Sequence, residues 1–447
     1  MRVSDTAADT AAGAATRPLA ATTRSPLLWV PTGYFTMALA YVMLCSVTSI
    51  MFKNLGMDNG RAAAYSSMLI LAYTIKPLFA PIVEMYRTKK FFVLCAQVGV
   101  GLGFFGAALA MQLPNYMAVL LPVFWAMSFV GATMDIASDG VYVTSLAPRA
   151  QSLYCGVQSL SWNLGPIVAS GGLVYLSGRL HTEVFHHDAH AFGPEWMQAW
   201  QVVFAIVGVV ILVMALWHAR VMPEGARADH APASLRDAWA ILVDAFVTFF
   251  QKPDVWKMVA FAFLFRLSIG LLEKIGPFFM VDGAAQGGLG MSNEQLGIVY
   301  GTWGLAAVLL GSLLGGWFVA RRGLRRVLFI LCCAVNIPNV TFLIMSLYLP
   351  SSVLGIAAGV VIEKFFFGFG SVGFMIYLMQ QLAPGKYATT HYAFGTGLMG
   401  LCGLVTGVIS GHLQEALGYV HYFGLVMVAT IPSFLATWFA PFHHSSD

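Results

Sequence analysis

The chain has 447 residues, of which 58% are apolar and only 10% charged, and its mean hydropathy is +0.75. A soluble domain carries roughly 25% charged residues, so a water-soluble enzyme or binding module is excluded. The net charge of +4 belongs to the loop bias described below and is no nucleic-acid footprint.

Residues 1–26 are rich in Ala and Thr and lack the apolar core of a signal peptide, so they read as a disordered cytoplasmic tail. Twelve apolar stretches follow: 27–51, 62–85, 91–111, 117–144, 151–177, 198–219, 255–280, 295–320, 325–347, 352–381, 388–412 and 419–440. Each has the ~20 residues that a membrane-spanning helix needs, far more than the ten-residue strands of a barrel. The expected fold is therefore an all-α membrane protein with twelve transmembrane helices in two pseudo-symmetric six-helix halves, 27–221 and 255–440. The six cysteines all fall in these spans and read as small core residues. Residues 222–254 form the longest inner connection: after Pro223, Gly225 and Pro232, Ser234 can cap an amphipathic helix with Trp239, Leu242, Phe246 and Phe249 opposite Asp237 and Asp244. A second short tail, 441–447, ends the chain.

Lys and Arg set the orientation. Of 24 such residues, 17 lie in segments on the side of the termini, three (Lys53, Arg61, Arg179) lie opposite, and four lie within spans. Both termini are thus expected in the cytoplasm. The loop 178–197 on the opposite side holds His181, His186, His187, Asp188 and His190 without regular spacing, so a solvated loop is expected and no metal site. No Walker sequence, nucleophile elbow or HExxH occurs, and neither an enzyme nor a bound cofactor is expected.

Two segments at equivalent places in the halves look duplicated. They are Ala80-Pro-Ile-Val-Glu84-Met-Tyr-Arg87-Thr-Lys89-Lys90 and Gly316-Trp-Phe-Val-Ala320-Arg321-Arg322-Gly323-Leu-Arg325-Arg326. In each, a small residue precedes the acid position by four, and a basic pair follows it by five and six; the second segment has Ala320 where the acid would be. Duplicated six-helix units are how many secondary transporters are built. These loops, with Glu84, Arg87, Lys89, Lys90, Arg321, Arg322, Arg325 and Arg326, read as conformational latches.

Ionisable groups inside the hydrocarbon are costly and mark site candidates. Eight occur: Lys76 in span 2, Asp135 and Asp139 in span 4, Arg266, Glu273 and Lys274 in span 7, Glu363 and Lys364 in span 10. Asp135 and Asp139 share a helix face, and two carboxylates that close repel when both are ionised, so one can carry a proton. Asp135, Asp139, Glu273 and Glu363 are the candidates for proton coupling. An Asp paired with Lys76 or Arg266 is the structural alternative. Adjacent residues on a helix point about 100° apart, so crossed pairs, Glu273 with Lys364 or Glu363 with Lys274, are expected to form and break as a cavity opens on alternate sides. Arg266 and Glu273, seven apart, share a face, where Arg266 can hold an anionic substrate or neutralise Glu273. Substrate binding or gating falls to Lys76, Arg266, Lys274 and Lys364, with the mid-span aromatics Tyr142, Trp162, Trp303 and Tyr377 (and Trp125) as stacking candidates. Pro166, Pro277 and Pro338 should kink their spans, and the glycines of span 8 should make a close-packing surface.

The two duplicated loops resemble the loop signature of the major facilitator superfamily. Gly131-Ala-Thr-Met-Asp135-Ile-Ala-Ser-Asp139-Gly140-Val-Tyr-Val, Gln151-Ser-Leu-Tyr-Cys-Gly156 and Ile75-Lys76-Pro77-Leu-Phe-Ala80-Pro81 resemble the muropeptide permease (AmpG-type) branch of that superfamily. The resemblance implies a multi-pass protein of the bacterial inner membrane that imports a bulky polar solute with protons, by alternating access. A cell-wall-derived amino sugar or muropeptide leads; a ferric siderophore is the alternative within the fold, and a receptor that has lost turnover is the alternative outside transport. The expected partners are a small-molecule substrate, protons and the lipid bilayer, with no nucleic acid, and the expected state is a monomer.

Overall fold

A computed structural model describes residues 24–85, 87–225 and 235–443, without the side chains of a few residues such as Glu84. The expected tails therefore lie largely outside the described residues, as do Ser234 and the first part of the linker. The fold is helical throughout these residues. Spans 1, 3, 4 and 6 are Pro26–Asn54, Lys89–Ala110, Tyr116–Ser145 and Pro194–Val221; spans 7 to 10 are Val255–Val281, Asn293–Arg322, Leu324–Tyr348 and Val353–Leu382. Span 2 runs over 59–85 in three helical pieces and span 5 over 148–184. Spans 11 and 12 occupy 388–417 and 419–438, and Gly418, at φ 71°, makes the turn between them.

Small residues set the packing, and they do so twice. Gly165 of span 5 lies on Ala38 of span 1, as Gly270 of span 7 lies on Thr406 of span 11. Gly103 of span 3 takes Met127 of span 4, as Gly370 of span 10 takes Leu331 and Val335 of span 9. The helix pairs 1–5 and 3–4 thus recur as 7–11 and 9–10, the signature of two equivalent six-helix halves. Between halves the pairs are 2–11 and 5–8, which exchange under the same correspondence.

Span irregularities have identifiable causes. Pro166 is followed by a wide π-helical turn at Ile167–Leu173, and Pro338 sits in a 3₁₀ turn, Ile337–Asn339, that divides span 9. Pro277 behaves otherwise: the helix Leu267–Val281 continues through it, and span 7 breaks earlier, at Phe265–Arg266. The break is stabilised because Ser433 Oγ donates to the freed carbonyl of Leu264 at 2.8 Å.

Call the end that carries residue 26 and residue 438 the terminal end, and the opposite one the far end. Apolar packing joins both halves at the far end, where Phe279, Phe342, Tyr419 and Phe423 belong to the same cluster as Trp200 and Phe204. At the terminal end the second half keeps a cluster of its own, including Phe261, Phe265, Phe374 and Tyr377. The halves are therefore clamped at one end only. A helix, Leu235–Phe250, lies across the terminal end of span 11: Asp244 accepts from Tyr387 (2.6 Å) and Lys386 (2.9 Å), and Phe249 meets Phe394. The Tyr387 and Lys386 bonds hold the Asp244 carboxyl below its ordinary range, while burial lowers Lys252 to about 8.

Candidate functional site

A central cavity lies between the halves in two connected compartments that share Tyr41 and Ile70. The compartment toward the far end holds about 390 Å³ and is lined by Cys45, Arg266, Glu273, Lys274, Tyr300 and Lys364, among others. The other, about 680 Å³, extends toward the terminal end and is lined by Tyr34, Lys76, Asp135, Asp139, Gln158 and Trp162, among others. Seven of the eight intramembrane charges thus line one cavity. Glu363 is buried behind Lys364.

Three pairs account for six of the eight. Lys76 of span 2 bonds to Asp135 of span 4, which is the structural alternative foreseen for that Asp. Arg266 binds Glu273 at 3.1 Å along span 7, so the shared face is real and the arginine is neutralised. Lys364 approaches its own neighbour Glu363 at 3.3 Å and lies over the Tyr300 ring, 4.5 Å from its centroid. The expected crossed pairs, Glu273 with Lys364 and Glu363 with Lys274, do not form. Both side chains of the adjacent pair are buried and long enough to fold back on each other.

Two charges have no ion-pair partner among the described residues. Lys274 reaches from span 7 into the first half, donating to Ser66 Oγ at 2.9 Å and to the Cys45 carbonyl at 3.4 Å. Asp139 faces the cavity and accepts a bond of 2.7 Å from Tyr34 OH. Its i−4 neighbour Asp135 takes the lysine, so the two stacked carboxylates have different surroundings.

The aromatic candidates divide. Trp162 lines the compartment toward the terminal end (the lower compartment), its ring 6.1 Å from Tyr41. Tyr142, Tyr377 and Trp303 do not line the cavity. Tyr142 donates to the Gln151 carbonyl and packs on Trp29 and Tyr34. Tyr377 donates to the Pro441 carbonyl at the terminal end, and Trp303 lies on the outer surface, 47% exposed. Trp125 stacks on Phe129. Of the cysteines, Cys155 lines the lower compartment and is exposed. His181 is not solvated as expected: it is buried and stacked on Trp196 at 3.7 Å, because the indole offers a flat apolar cover and the Asp188 carbonyl a polar partner.

The loop cations also differ between halves. Lys89 is buried and donates to the Val83 carbonyl, and Lys90 pairs with Glu224 at 3.5 Å. Arg87 lies beside the Phe91 ring, 6.0 Å from its centroid. Arg321, Arg322, Arg325 and Arg326 line a separate cavity. The side chain of Glu84 is outside the described residues.

Sequence reasoning missed the far-end seal. Lys53, at the end of span 1, pairs with Asp282, at the end of span 7, at 2.7 Å. Asp282 also accepts from Tyr419 OH (2.5 Å) and Asn59 (3.1 Å), and Asn59 reaches Gln414 (2.7 Å). Asn293 donates to Asn54 (2.8 Å) and Ser177 (3.0 Å), and Thr182 donates to Glu294 (3.1 Å). Lys53 and Asp282 close equivalent helices of the two halves, a correspondence readable from the duplication but hidden by counting only mid-span charges. Between these seals, the π-helical turns Ile167–Leu173 of span 5 and Gly297–Gly304 of span 8 lie backbone to backbone. A methyl at Gly301 would sit 2.2 Å from the Ser170 carbonyl oxygen.

Duplicated halves, a shared polar cavity and a seal at one end define a polytopic membrane transporter and no enzyme. The family model of the Major Facilitator Superfamily matches residues 32–411, and the chain belongs to that superfamily. It is 22% identical over 386 residues to the anhydromuropeptide permease of Escherichia coli K12, covering 84% of this chain and 72% of that one. It is 20% identical over 405 residues to transporter AmpG 4 of Rickettsia felis, covering 88% and 91%. Among solved structures, the nucleoside transporter NupG superposes with a TM-score of 0.65 at 16% identity over 93% of this chain and 99% of that one. The D-xylose-proton symporter gives 0.66 at 13% over 94% and 97%.

Proposed function

We propose that this chain imports a carboxylate-bearing amino sugar or muropeptide derived from the cell wall across the bacterial inner membrane, coupled to protons, with both termini in the cytoplasm. The observation that carries the proposal is the division of the cavity charges. Six are spent on one another, leaving Lys274 as the cation and Asp139 as the anion without a counter-charge among the described residues. Lys274 suits a substrate carboxylate, as on a lactyl or peptidyl group. Asp139 suits a proton, which neutralises a carboxylate that no cation neutralises. Trp162 and Tyr41 supply flat faces for a pyranose ring. The muropeptide permease among the relatives supports the substrate class.

The terminal end then faces the cytoplasm, and the state described has its periplasmic side sealed. With that seal open, solute enters and its carboxylate takes Lys274 from Ser66 and Cys45. Protonation of Asp139 from outside lets the halves close over a neutral site. Proton and solute then leave through the lower compartment. One chain encloses the whole cavity, so the monomer is the transporting unit.

The test is internal pH in proteoliposomes on external addition of N-acetylglucosaminyl-anhydromuramic acid. Acidification is expected, abolished by Asp139→Asn, with Lys274→Met weakening the solute requirement. Acidification that survives Asp139→Asn moves coupling to Glu273 or Glu363. No response from folded protein discards this substrate and brings ferric siderophores forward.

A further inference from the structure

A further cavity lies outside the transport site. It is about 1220 Å³, at the terminal end of the second half, between the loop joining spans 8 and 9, the end of span 10, and Phe442 and His443. Arg321, Arg322, Arg325 and Arg326 all line it. We propose that this cavity is a binding site for the phosphate group of an anionic phospholipid, held at the membrane edge by this arginine cluster.

Three observations lead there. The first is that these four arginines have no carboxylate partner among the described residues. In the equivalent loop of the first half, Lys90 is paired with Glu224 and Lys89 is buried on a carbonyl; in the second half the acid position is Ala320, itself part of the cavity wall. Asp254 reaches the rim only through His443 at 3.1 Å and is already held by Lys257 at 2.8 Å. The second is that span 9 starts at this cavity with Gly323 as its first flanking residue and no side-chain cap. Its first backbone N–H groups therefore add to an anion site that the guanidinium groups define. The third is the wall. Met379 and Phe442 are apolar, Met379 is largely exposed, and Arg321 lies over the exposed Trp317 ring at 4.5 Å. An indole with a cation over it at a span end sits at the headgroup level of a bilayer.

Arginine forks match phosphate oxygens two at a time, which a lysine does not. A basic pocket between helices at the membrane edge selects anionic headgroups over zwitterionic ones. A soluble phosphate would satisfy the guanidinium groups alike, but it would leave the apolar wall of Met379 and Phe442 uncovered, whereas an acyl chain covers it.

Native mass spectrometry of the full delipidated chain in detergent tests the assignment, with phosphatidylglycerol and phosphatidylcholine of the same acyl chains added in turn. Binding of phosphatidylglycerol is expected to be about tenfold tighter or more. Arg321→Gln/Arg322→Gln and Arg325→Gln/Arg326→Gln are each expected to cut that preference, with the folded state checked by gel filtration. Equal binding of the two lipids by the unaltered chain overturns the proposal without any variant, as does a preference that survives both double substitutions. Inorganic phosphate is the second arm. If millimolar phosphate displaces phosphatidylglycerol and stabilises the chain alone, the oxyanion site stands and its ligand is soluble phosphate. If phosphate does neither, the lipid is the ligand.

Discussion

Asp282→Asn should open the far end, and the structure sets the size of the effect. The carboxylate pairs with Lys53 at 2.7 Å, with the two side chains 3% and 12% exposed, and it also accepts from Tyr419 and Asn59. Removing one member of a buried pair costs about 3–5 kcal/mol. Lys53 is slightly exposed here and would regain water once the halves part, so about 2–3 kcal/mol is the appropriate figure for the shift between the two states. At ~1.4 kcal/mol per tenfold, that is about a 30- to 150-fold change in the ratio of sealed to open molecules. Spin labels at Gln112→Cys and Ser351→Cys, exposed far-end positions in opposite halves, report the ratio by pulsed dipolar spectroscopy on a background without other cysteines. The longer-distance population should grow in Asp282→Asn. Adding Lys53→Met should recover much of the sealed population, because no buried charge is then left unpaired. An unchanged distance distribution in Asp282→Asn, or a double substitution whose effect is the sum of the two singles, would refute the reasoning.

Gly301→Val places side-chain atoms against the Ser170 carbonyl, a backbone atom that cannot move away; overpacking of about 1–3 kcal/mol should likewise lengthen the same label distance and lower uptake while the protein still folds. Lys76→Met leaves Asp135 buried without its cation, so Tm should fall by an amount equivalent to about 1–2 kcal/mol after discounting for the partial exposure of Lys76. Lys76→Met/Asp135→Asn should restore most of it; a double variant less stable than the single contradicts the pairing. The Asp244 tie of Leu235–Phe250 to span 11 should be insensitive to pH between 5 and 8, and any pH response of this docking falls to Lys252 and to His391, which meets Phe249 and the Ala245 carbonyl. Asp244 is depressed below 3.8, so its contribution is present above that value and is lost only as pH falls through the depressed value, and Lys386 stays charged throughout. On a Lys252→Met/His391→Gln background, a label pair at Ala240→Cys and Thr390→Cys whose distance changes in that window would contradict this.

The helical class, the doubling of the halves and the seven cavity charges were legible because each follows from local pattern: twenty-residue apolar runs, a recurring basic loop, and ions where hydrocarbon should be. Which charges meet was legible only in part. Arg266 and Glu273 were readable as a pair from their spacing on one helix, but Lys76 with Asp135 depends on how spans 2 and 4 lie, and Glu363 with Lys364 on side-chain flexibility that ideal helix angles ignore. The partner of Asp139, Tyr34, sits on another span and has no sequence signal beyond being a tyrosine. Aromatic residues misled for a related reason. Trp303 and Tyr377 are mid-span in sequence, but span rotation decides whether they meet lipid, core or cavity, and single-span periodicity was too weak to fix it.

The placement of the pairs also decides what can gate. Lys76–Asp135 lies wholly in the first half, and Arg266–Glu273 and Glu363–Lys364 wholly in the second. If the halves rock as rigid units, these distances do not change, so such pairs lower the cost of buried charge without sensing the state. The contacts that must break when the far end opens are those that cross, among them Lys53 to Asp282, Asn54 to Asn293, Thr182 to Glu294, and Lys274 to Ser66 and Cys45. Three of these four belong to the seal. The fourth lies inside the cavity, and it is made by the cation that has no carboxylate of its own. Opening the far end therefore strips Lys274 of its two neutral acceptors as the cavity becomes reachable from that side, and under the proposed function a solute carboxylate restores what was lost. Solute and seal then compete for one ammonium group, which links occupancy to the state of the gate without requiring any intramembrane ion pair to exchange partners.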